Sequence, residues 1–157
     1  MKKRMLISAI ALTAFLLPAT AIAAAGDPCA LVTKAEVQAA VGGAVSGSAV
    51  NKLNKHVCDF ALSQAGSVLN VTWSSKSPAD SAQKTVAELA KRNIKAEVVQ
   101  GFGESGYRSS PGFGMQQLGA YKGSSHIIVT AMLMGAPEAK VKAALEAVMK
   151  AALARAQ

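Results

Sequence analysis

The chain has 157 residues, 51% of them hydrophobic and 17% charged, with a net charge of +8. That length holds one domain around a single core and is too short for two. The basic residues are scattered with no dense run, which argues against a nucleic-acid-binding surface.

Lys2, Lys3 and Arg4 open the chain, Met5 to Leu17 carries no charge, and Pro18 precedes a small-residue stretch from Ala19 to Ala25. Basic start, apolar middle and small-residue exit are the three parts of a cleavable signal peptide. A spanning helix needs roughly 20 consecutive apolar residues, and this run is shorter and ends at a proline. Residues 1–25 are therefore expected to be removed, with cleavage after Ala25 favoured over Ala23, leaving 26–157 as one exported domain. Loss of three basic residues and no acidic ones lowers the charge from +8 to +5. Such a surface reads as a solvated face, with anionic lipid headgroups or acidic glycans as the alternative.

Asp27 to Gly43 reads as an extended lead into a short helix. Thr33 and Glu36 form a capping box, Val37, Ala40 and Val41 an apolar face, and Gly42-Gly43 the stop. Ala44–Asn51 is a weak strand or an ordered loop. His56–Leu62 and Val68–Trp73 alternate as a β-hairpin, Cys58, Phe60 and Leu62 facing the core. Trp73 is read as a core or rim residue. Ser77-Pro78 is expected to start a second helix running to Arg92, with Ala82, Val86, Leu89 and Ala90 buried. Lys95–Gln100 is a short strand.

Gly101–Gly114, GFGESGYRSSPGFG, is expected to be irregular. A phosphate-cradling role fails on context, because such a loop needs a helix after it and a strand follows here. Its candidate binding residues are Phe102, Glu104, Tyr107, Arg108 and Phe113. Met115–Lys122 and His126–Met134 form a further hairpin, the second strand apolar enough to be central and covered on both faces. Pro137 starts a last helix to Arg155, burying Val141, Ala144, Leu145, Val148 and Ala152.

Cys29 and Cys58 are the only cysteines, and an even count in an exported chain suggests a disulfide. Closing about 30 residues contributes roughly 3–4 kcal/mol in the chain-entropy model. The competing reading is a metal or thiol site, since His56 and Cys58 would share a strand face, but two ligands are too few for closed zinc.

The string DPCALVTKAEVQAAVG resembles the opening of DUF3558-like and LpqN-like bacterial envelope proteins, through Cys29, Leu31, Val32, Thr33, Glu36, Val37 and Gly42. Cys58–Phe60 resembles that family's Cys-aromatic strand, and Gly101–Tyr107 its Gly-x-Gly-acidic stretch. The resemblance implies a Mog1p/PsbP-like α+β fold, an antiparallel sheet with helices packed on it, and a bridge between the two cysteines. From the elements above, five to six strands and three helices are expected, in the order α-β-β-β-α-β-β-β-α. Many relatives are lipoproteins. Gly26, Asp27 and Pro28 before Cys29 do not fit a lipid-attachment signal, so anchoring is not carried over.

No catalytic residue, metal site or cofactor is expected. The carboxylates form no close pair, and Ser109 and Ser110 lack a nucleophile-elbow setting. The expected function is a monomeric, non-catalytic periplasmic or secreted binding or accessory protein for an unknown protein or anionic envelope component. One alternative is an inhibitor or immunity-type protein inserting the Gly101–Gly114 loop, its charge disfavouring a basic target. Another is a small hydrolase or metal enzyme using His56, Asp59 and His126.

Overall fold

The computed structural model describes residues 26–156. The expected signal segment and its cleavage sites lie outside the described residues. A 3-10 turn at Pro28–Ala30 leads into helix α1 (Lys34–Val41). Strands β1 (Val45–Val50), β2 (Val57–Leu62) and β3 (Val68–Ser75) follow, then α2 (Ala82–Lys91). Strands β4 (Lys95–Val99), β5 (Ser105–Gly112), β6 (Met115–Lys122) and β7 (Ser125–Met132) precede α3 (Glu138–Arg155). The seven strands form one antiparallel sheet in the order β1-β2-β3-β7-β6-β5-β4. The α+β class therefore holds, with three helices, and the sheet has one strand more than expected.

The extra strand is β5, in the segment expected to be irregular. Tyr107, Arg108 and Ser109 pair with β4 on one side and β6 on the other. The glycines sit at its margins. Gly101 and Gly103 shape the approach, and Gly112 and Gly114 flank the β5–β6 turn with positive φ. Glycine supplies these turn conformations without steric cost.

Helix α2 also differs. Its N-cap is Ser81, whose side chain accepts from the Lys84 amide, whereas Ser77-Pro78 belongs to a separate turn closed by Asp80 N–H to Ser77 O. That turn holds Pro78 outside the helix. Ala82 is buried and Val86 and Leu89 half-buried, while Ala90, expected inside, is exposed.

Helices α1 and α3 cover one face of the sheet. The α3 residues Val141, Ala144, Leu145, Val148, Met149 and Ala152 pack on Leu118, Ile127, Val129 and Ala131. The Thr33–Glu36 capping box forms, with the Thr33 amide donating to Glu36 Oε2 at 2.8 Å. Arg155, in the last turn of α3, reaches the same carboxylate through two nitrogens at 2.9 and 3.0 Å. Cys29 and Cys58 are bonded, tying the N-terminal 3-10 turn to β2 beneath this core. Strand β7 is central as expected. Its second face is largely uncovered by helix: α2, on that side, lies over β4, β5 and β6.

Candidate functional site

Cross-strand partners in an antiparallel sheet share a face, so the register assigns every strand residue to one side. The side away from α3 carries one row of polar side chains running across five strands. Asp59 pairs with Asn70, Asn70 with Thr130, Thr130 with Gln117, and Gln117 with Ser109. Much of the row is knitted together. Ser109 Oγ donates to Gln117 Oε1 at 3.1 Å, Gln117 Nε2 donates to Thr130 Oγ1 at 3.1 Å, and Asn51 Nδ2 donates to Asp59 Oδ2 at 2.6 Å. Apolar or mixed rows flank it: Val57, Thr72 and Ile128 on one side, Val68 and Met132 on the other.

An aromatic cluster closes one end of this face. Tyr121 pairs with His126 and stacks on it with ring centroids 4.2 Å apart. The Tyr107 hydroxyl meets His126 Nε2 at 3.0 Å, and the Tyr121 hydroxyl meets Thr85 Oγ1 of α2 at 2.6 Å. Burial raises both tyrosine pKa values and lowers that of His126, which Asp80 partly offsets. The neutral phenol of Tyr107 is thereby matched to a neutral imidazole, with Tyr107 O–H as donor when Nε2 is unprotonated. Lys76 lies 5.9 Å from the Tyr121 ring centroid and pairs with Glu104 at 2.6 Å. Hydrogen bonds from Lys76 and from the Gly123 amide lower the Glu104 pKa.

The five expected loop residues do not form one surface. Phe102 is buried in the main core, and Tyr107 faces α2. Arg108 points to the α3 side and binds Glu146 at 2.8 Å. Glu104 is held by Lys76 and the Gly123 amide. Phe113 alone stands out, 94% exposed at the β5–β6 turn with φ of 54°. Arg108 also lines a cavity of about 170 Å³ with Lys95, Ser110, Gln116 and Glu138.

Comparison with family models, with curated proteins and with solved structures gives no match to this chain.

His56, Asp59 and His126 do not converge. His56 lies on the core-side face near Trp73, ring centroids 6.5 Å apart, and His126 on the opposite face. The Asp59 row crosses β7 at Thr130, about 13 Å along the strand from His126. Among the described residues, no three of His, Cys, Asp or Glu are placed to hold a metal ion. No helix among them is long and apolar enough to cross a membrane. The polar row was not expected as a site. Its signal was the alternation of Asn70 and Thr72 with Leu69 and Val71, repeated by Thr130 between Val129 and Ala131.

Proposed function

We propose that this chain is an exported, non-catalytic envelope protein that binds a partner protein across the sheet face left open beside α2. The observation that carries the reading is the half-exposed stretch of Asp59, Asn70 and Thr72 with Val57, Ile128, Val68 and Met132 beside it, braced by the buried Thr130 and Ser109 farther along the same row. A specific protein interface combines apolar contact with oriented hydrogen-bonding groups, and this face offers both on a rigid scaffold. The basic N-terminal segment with its apolar run, and the Cys29–Cys58 bond, support export to an oxidising compartment. The bond, the capping box and the helix-packed antiparallel sheet also fit a DUF3558-like or LpqN-like protein with a Mog1p/PsbP-like arrangement.

Phe113 favours one second reading, an inhibitor or immunity-type protein that inserts the β5–β6 turn into an envelope enzyme. Affinity capture from envelope extract separates the two. Thr72→Lys, in the middle of the open face, is expected to lose the partner while Phe113→Ala keeps it, both variants melting like wild type. Retention by Thr72→Lys contradicts the sheet-face reading, and loss from Phe113→Ala alone supports insertion.

A further inference from the structure

The loop 51–56, between β1 and β2, presents the most exposed large apolar side chain of the described residues. Leu53 is 98% exposed. The loop is built to hold it there. Asn51 Oδ1 accepts from the amides of Leu53 and Asn54 at 2.9 and 3.0 Å, and Asn54 Oδ1 accepts from the His56 amide at 3.0 Å. Asn51 N–H to Val57 O at 2.8 Å and Val57 N–H to Asn54 O at 3.0 Å close the turn on itself. Lys52 and Lys55 flank the leucine, both exposed and both outside the ion pairs of the described residues. The carboxylates of this end are engaged: Asp59 with Asn51, and Asp27 with the Cys29 amide.

We infer that this loop is a toehold on an anionic phospholipid bilayer, Leu53 entering the headgroup–acyl boundary while Lys52 and Lys55 meet lipid phosphates. A single apolar side chain between two cations, fixed by backbone hydrogen bonds, gains from both terms at once. The apolar term is non-directional burial, and the ionic term is attraction to negative headgroups. The pre-formed turn spares the ordering cost that a flexible loop would meet on binding. The chemistry of the loop stands apart from the sheet-face partner.

Vesicle co-sedimentation of the protein purified from the soluble envelope fraction tests the inference. The vesicles are 30 mol% phosphatidylglycerol in phosphatidylcholine, compared with pure phosphatidylcholine. Wild type is expected to partition more strongly onto the anionic vesicles, and 0.5 M salt to erase most of the difference. Leu53→Asp is expected to weaken binding by about 10-fold, and Lys52→Gln and Lys55→Gln by roughly 5-fold each. Phe113→Asp, equally exposed at the other end of the sheet, is the control and keeps wild-type binding. Equal binding to both vesicle types, no loss in Leu53→Asp, or an equal loss in Phe113→Asp overturns the inference. Thermal melting of the loop variants is expected to match wild type, because Leu53, Lys52 and Lys55 bury little.

Discussion

Tyr107 reaches His126 because the residue paired with it, Gly119, has no side chain. A Cβ at Gly119 would collide with the Tyr107 ring, so glycine is needed here for room rather than for backbone freedom. Gly119→Ala is expected to destabilise the fold by about 1–3 kcal/mol through overpacking. Urea titration checks the value, and the penalty should shrink in a Tyr107→Leu background. His126 adds a pH dependence. Burial holds its pKa below 6.5, against a weaker opposing pull from Asp80. The unfolded chain therefore binds the proton more readily, and folding favours the neutral ring. This contribution is fully present above about pH 7, falls as pH drops through 6.5, and levels off below the folded pKa, with a slope of at most about 1.4 kcal/mol per pH unit. Glu104, pulled down by Lys76, and the two tyrosines, pushed up by burial, titrate outside that window. Melts of His126→Gln between pH 7 and 5 should be flatter than those of wild type.

At the level of elements, the start of α2 shows how two sound local signals compete. Ser77-Pro78 has the chemistry of a helix start, yet Ser77 N–H donates to Asp80 Oδ2 and the segment closes as a turn. Ser81 then caps the helix, and Ala82 N–H meets Ser105 Oγ from β5. The deciding contact is tertiary. Ser81→Ala is expected to cost about 1 kcal/mol, and Ser77→Ala less than about 0.5 kcal/mol, read by thermal or chemical denaturation. Much of the remaining pattern was legible. The capping box at Thr33, the hairpin of β2 and β3, and the buried stripe of α3 all follow from local spacing. Strand β5 was not, because glycines at its margins obscured an alternation in which Tyr107 and Ser109 face one side and Arg108 and Ser110 the other. The open face was not legible either: period-2 alternation separates two sides but does not say which side a helix covers.

For the whole molecule, the covered side is tied at three points. The Cys29–Cys58 bond fixes the N-terminal turn to β2, Arg155 joins the end of α3 to Glu36 of α1, and α3 fills the space above β6 and β7. The other side has α2 at one margin and an unroofed field of mixed polar and apolar side chains across β2, β3 and β7. That asymmetry is the basis of the binding reading, in which the tied side holds the open side rigid. Site-specific photocrosslinking in the producing cell tests this most directly. A photoreactive residue in place of Thr72, on the open face, is compared with one in place of Lys142, exposed on α3. A discrete higher-mass adduct from position 72 and none from position 142 is the predicted result. Adducts from position 142 alone, or from neither position, would contradict it.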